Sequence, residues 1–130
     1  MLMKSVLYYI KLFADMLSFT SSQKYYFYAS PMDMRKDIDS LSDVVRTQMK
    51  IDPFLEGNVY IFLSKDLRKM KILYRGHKRF ELTKIRLDED KFFMPVFDEL
   101  CSYCRICWSD FVTLTEGVQV TKMKIINDAV

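Results

Sequence analysis

Residues 58–87, "NVYIFLSKDLRKMKILYRGHKRFELTKIRL", hold three candidate strands and nine of the chain's twenty Lys and Arg residues. "NVYIFLS" (Asn58 to Ser64) is a strand by its β-branched and aromatic composition. "MKILYR" (Met70 to Arg75) alternates Met70, Ile72 and Tyr74 against Lys71, Leu73 and Arg75. "RFELTKIRL" (Arg79 to Leu87) returns after the tight turn "GHK". Connectors as short as "KDLRK" and "GHK" join antiparallel neighbours, so the stretch predicts a three-stranded meander. In it Lys71 and Arg75 point away from Ile72 and Tyr74, which gives a cationic outer surface.

Upstream, "YYFY" (Tyr25 to Tyr28) reads as a further short strand. Met34, Ile38, Leu41, Val45 and Met49 then recur at three- and four-residue steps. That stripe predicts a long helix from about Pro31 to Met49, packing on the core. Ser30 serves as its cap, Pro31 opens it and Asp33 follows in the first turn. Arg35 and Lys36 are misplaced in such a helix, because the partial positive charge of its start repels cations. Either Asp33, Asp37 or Asp39 neutralises them, or an anion or acidic partner waits beside that turn.

Downstream, "FFMPVF" is a possible edge segment, with Pro95 keeping it out of a sheet centre. Cys101 to Cys107 is ambiguous between strand and helix. Trp108 to Thr115 predicts a short helix stopped by Gly117. The fold class is therefore α+β: a small antiparallel sheet of three to four strands with one long helix packed on a face, plus short terminal helices. Half of the 130 residues are hydrophobic and 15% aromatic, which supplies one sizeable core. The division expected is an amphipathic N-terminal extension over 1–15, a single domain over 16–117 and a tail over 118–130.

The opening segment "MLMKSVLYYIKLFADMLSF" is interrupted by Lys4, Lys11 and Asp15, too often for a membrane span, and lacks the core and cleavage site of a signal peptide. Three cysteines, an odd number crowded into Cys101 to Cys107, fit a reducing, cytoplasmic setting better than a disulfide framework. Their C-x2-C-x2-C spacing raises a metal site with His77 as a fourth ligand. On a strand, however, Cys104 faces away from Cys101 and Cys107, and packing suits all three better. His77 has no partner in the sequence that would set it up for acid–base work. Asp88, Glu89 and Asp90 stand together in an expected turn, where carboxylates face water rather than a metal-dependent nuclease centre. With three glycines and none of the phosphate-loop, zinc-protease or serine-elbow patterns, the sequence points to no enzyme, metal or cofactor.

The charge distribution is more telling. Lys65 to Arg86 carries nine cations against Asp66 and Glu81, a surplus of seven in a chain whose total is +3. Such concentration suits a polyanion or an acidic partner. Lys65, Arg68, Lys69, Lys71, Arg75, Lys78, Arg79, Lys84 and Arg86 interleave with Tyr74 and Phe80, a mixture able to follow a phosphate backbone. Arg35 and Lys36 join them as candidate DNA contacts. Nothing here encodes base-specific recognition.

Three pieces together, "YYFYASPMDMRKDIDSLSDVV", "GNVYIFLSKDLRKMKILYRGHKRFELTKIRL" and "WSDFVTLTEG", resemble the TnpB accessory proteins of the bacterial insertion-sequence family numbered sixty-six. Asp33, Met34, Arg35 and Lys36 match the family's usual run, with Met32 in place of a threonine. Phe62, Arg68, Lys71, Leu73, Phe80, Lys84, Arg86 and Leu87 occupy comparable places, although Ile85 splits the usual Lys-Arg pair. The likeness covers roughly residues 16–117, and Met16 resembles the family start. It implies a non-enzymatic helper in transposition that works beside a separate transposase. DNA and the cognate transposase are the partners it suggests, with other accessory proteins of the element as further ones. The runner-up is an adaptor that docks an acidic surface of the transposase.

Overall fold

The computed structural model describes residues 19–96, 101–117 and 125–126. The amphipathic segment expected over 1–15, and most of the tail over 118–130, lie outside the described residues. The elements in chain order are β1 (Lys24–Tyr28), α1 (Ile38–Thr47), β2 (Asn58–Leu63), β3 (Lys69–Gly76), β4 (Arg79–Arg86), β5 (Tyr103–Ile106), α2 (Trp108–Thr115) and β6 (Ile125–Ile126).

The meander read from residues 58–87 is present: β2 pairs antiparallel with β3, and β3 with β4. The sheet is larger than three or four strands and is mixed, with six strands among the described residues in the order β4-β3-β2-β1-β5-β6. β1 runs parallel to β2, because the chain leaves β1, crosses through α1 and re-enters in the same direction. β5 then closes the other side of β1 in antiparallel register, placing Phe27 opposite Cys104. The ambiguous cysteine segment is thus a strand. No strand forms over 92–96, the described part of "FFMPVF"; residues 91–96 are irregular, and Phe92 instead buries its ring in the core.

Every residue of β2 is buried. A strand that faces water on one side alternates, whereas this one is apolar throughout, so layers cover it on both sides. On one side Val59, Ile61 and Leu63 join Tyr25, Phe27, Met70 and Ile72 beneath Phe111 and Leu114 of α2. Phe111 stacks on Tyr25 at 4.6 Å between centroids and meets Phe19 edge-on at 5.3 Å. On the other side Tyr60, Phe62 and Leu73 pack with Leu41, Val44 and Val45 of α1. Burial pushes the Tyr60 phenol up to about 12, even though the Asn58 amide donates to its oxygen at 3.1 Å.

The long helix is shorter than its apolar stripe suggests. α1 starts at Ile38 with Asp37 as the cap residue, and Ser30 and Pro31 lie well outside it. Met34 and Met49 belong to the same core from positions beyond the helix ends. The chain from Ser30 to Asp37 is needed to cross the sheet: the Met32 N–H donates to the Leu63 carbonyl at 2.8 Å, at the end of β2. α2 ends as anticipated, with Gly117 at φ +72° and a Cβ there would meet Leu87 Cδ1 at 3.3 Å.

Leu41, on the core face of α1, is completely buried, whereas Ser40 beside it is exposed. Leu41→Ala is expected to cost about 2–5 kcal/mol, and Ser40→Ala to stay within about 0.5 kcal/mol. Urea unfolding of the two variants checks the placement of the helix.

Candidate nucleic-acid interface

The β3–β4 register decides where the cations go. Lys69 stands opposite Arg86, Lys71 opposite Lys84, Leu73 opposite Leu82 and Arg75 opposite Phe80. Opposed residues share a face, and Leu73 places this one on the α1 side of the sheet. Lys69, Lys71, Arg75, Lys84 and Arg86 therefore lie along one side of two adjacent strands. That side is not bare, since α1 also packs there, and the uniformly solvated cationic surface expected from alternation does not form. Lys71 is buried, and Arg75 is partly covered. Lys69, Lys84 and Arg86 are exposed.

Lys71 joins the hairpin to the segment before α1. Its Nζ donates to the Lys36 carbonyl, across 35 positions of sequence. Burial lowers its pKa below the ordinary lysine value and Lys84 lowers it further, while Asp37 and Asp33 pull the other way. The segment carrying Arg35 and Lys36 is thus held beside the cationic column. Their odd position is resolved, since both precede the helix and neither meets the repulsion of its first turn. Arg35 is spoken for locally: its Nε and Nη2 donate to the Asp33 carboxylate, the latter at 2.8 Å. The guanidinium bonds, followed by the bond from the Arg35 backbone N–H, hold the Asp33 carboxyl well below the usual range. Both side chains are solvated, so this pair adds little stability.

The "KDLRK" connector is an ordered turn. The Ser64 hydroxyl donates to Asp66 Oδ1 at 2.6 Å and accepts from the Lys69 N–H at 3.0 Å, while Asp66 Oδ1 also accepts from the Arg68 N–H at 3.1 Å. The Ser64 hydroxyl first, and then the Arg68 N–H, lower the Asp66 pKa. Leu67 takes φ +61° inside the turn, leaving Lys65 and Arg68 on the outside next to Lys69. Lys78 and Arg79 sit at the opposite end of the hairpin. Arg79 faces the α2 side and approaches Glu81 at 3.7 Å, and Arg86 approaches Asp88 at 3.8 Å. Lys36, Lys65, Arg68, Lys69, Lys71, Lys78 and Lys84 meet no carboxylate at ion-pair distance among the described residues.

Phe54 and Leu55 are contributions that charge counting overlooks. They lie in the turn before β2, exposed to 61% and 49%. The signal was an apolar pair between Pro53 and Gly57 in a segment that otherwise reads as a polar link. The three cysteines do not gather around His77, which instead contacts Glu56 at 3.1 Å. Cys104 packs against the α2-side core, and burial, followed by the nearby Cys101, pushes its thiol up to about 12.

The IS66 Orf2-like protein family matches residues 23–125. The chain belongs to that family. Family membership carries an accessory role in transposition. No curated protein and no solved structure matches the chain. Among the described residues of this family member, no helix is long and apolar enough to cross a membrane.

Two outcomes check the geometry. The depressed Lys71 pKa makes stability rise with pH between that value and the ordinary lysine range, because only the unfolded chain keeps the proton there. Lys71→Met removes this alkaline rise in urea unfolding and speeds exchange of the Lys36 amide, which now donates to the Asp33 carbonyl at 3.1 Å. Iodoacetamide at neutral pH should alkylate exposed Cys101 well before Cys104, as peptide mass mapping over time would show.

Proposed function

We propose that this protein is a non-enzymatic accessory factor in DNA transposition that holds DNA phosphates on the α1 side of its β3–β4 hairpin. One observation carries the reading: two like-charged pairs, Lys69 with Arg86 and Lys71 with Lys84, stand opposite each other in successive positions of one face. Like charges directly across a ladder destabilise a sheet. Two such pairs side by side are a cost that an anion on that face removes. Lys36 is fixed alongside through its carbonyl, and Lys65 and Arg68 extend the positive charge past the end of the hairpin. Family membership supports the same reading, with the cognate transposase as the protein partner.

The alternative is an adaptor that docks an acidic surface of the transposase through these cations and the Arg35–Lys36 turn. It loses one of its contacts to Asp33, which already holds Arg35. Purification of the two proteins as a complex without DNA, abolished by charge reversal at the hairpin, would favour it.

Titration of duplex DNA at several salt concentrations tests the phosphate reading. Affinity is expected to fall steeply with salt, and Lys84→Gln with Arg86→Gln to reduce the logarithmic salt slope by about 2. Absence of binding at low salt, or affinity indifferent to salt, overturns it.

A further inference from the structure

Resting on that reading, the structure assigns the Phe54–Arg75–Phe80 cluster as a subsite for an unpaired DNA base, so that the preferred ligand is single-stranded rather than duplex DNA. The cationic column does not end in charge. At the turn end of β3 and β4 it passes into Arg75 and Phe80 on the same face. The Arg75 guanidinium carbon lies 4.6 Å from the Phe80 ring centroid and 5.0 Å from that of Phe54, and the two rings are 5.4 Å apart. Two aromatic rings thus hold the cation in place while its terminal N–H groups remain for a phosphate.

Arg75 has no ion pair among the described residues, and its Nε is buried without a hydrogen-bond partner. A buried guanidinium nitrogen left unsatisfied is costly in a finished core. That atom is covered by protein, so an anion on this face meets the terminal guanidinium nitrogens instead.

The neighbouring ring is held outward by its own turn. The Phe54 N–H donates to Asp52 Oδ1 at 2.9 Å. The Gly57 N–H donates to the Arg75 carbonyl at 2.9 Å, which ties the turn to β3, and Gly57 adopts φ +88° to do so. Pro53 is buried beneath, so the turn cannot fold Phe54 inward. An exposed ring beside a fixed cation is a stacking platform for a nucleobase. In a duplex the base faces are already occupied by their neighbours, and a protein ring cannot reach them unless the base is taken out of the stack. Lys84 and Arg86 follow Phe80 by four and six residues along β4, about 13 and 20 Å of extended strand. A short unpaired strand therefore places a base on Phe54 and its neighbouring phosphates on Arg75, Lys84 and Arg86.

The test uses the full chain and fluorescence anisotropy with three labelled probes of about twelve nucleotides: oligothymidylate, the same strand with central abasic positions, and a duplex. Oligothymidylate is expected to bind more tightly than either of the others. Phe54→Ala, a change at an exposed position, should weaken it about tenfold while leaving the duplex and the salt slope unchanged. Arg75→Lys should also weaken it, since an ammonium keeps the charge but loses the planar fork. Equal binding of the three probes, or an oligothymidylate affinity untouched by Phe54→Ala, overturns the subsite while leaving the phosphate reading in place. If no probe binds at low salt, both fall together. Aromatic and Arg Nε–H resonances of Phe54 and Arg75 that shift with a synthetic Asp-Leu repeat peptide but not with oligothymidylate also overturn it, marking a protein-binding surface instead.

Discussion

The burial of β2 on both faces is the constraint from which the rest of the structure follows. Six consecutive residues with no exposed side require a cover above and below, and they require hydrogen-bonded neighbours at both edges. α1 and α2 provide the covers, while β1 and β3 provide the neighbours. The hairpin beyond β3 is less constrained. β4 holds only exposed and half-buried residues, and it is there that charge is tolerated. The cationic column therefore sits where the core thins out.

Lys71 marks the boundary between the two regimes. It belongs to the column by register and to the core by burial, and its lowered pKa records the conflict. The bond from its ammonium to the Lys36 carbonyl compensates part of the desolvation and positions the segment that leads into α1. A lysine that sequence alternation assigns to solvent is thus also a structural tie. The same arrangement explains why two cations precede α1 at all: they occupy a crossing segment, with Arg35 folded back on Asp33.

Much of this architecture was visible in residue order. The meander, the aromatic strand, the short helix before Gly117 and the core role of Met34, Ile38, Leu41, Val45 and Met49 all follow from local pattern. The parallel pairing of β1 with β2 was not visible, because strand adjacency across a helical crossover leaves no local period. Unbroken apolarity in "NVYIFL" did announce two covered faces, and reading it so would have called for a second layer. The pattern places the helix start too early, because a stripe at helical spacing continues through Met34 into irregular chain and Ser30–Pro31 imitates a cap. On the surface, composition located the basic hairpin. Its division into a shared face, a buried lysine and an aromatic-clamped arginine needed the register, and so did the role of Phe54.

The mixed sheet also imposes an order on assembly. β1 is flanked on one side by a strand about thirty residues later and on the other by one nearly eighty residues later. On the ribosome it emerges early and stays half-paired until the cysteine-bearing strand has been made. The long loops that must close make folding a late event, so a nascent chain stopped before β5 keeps an aromatic edge open to aggregation.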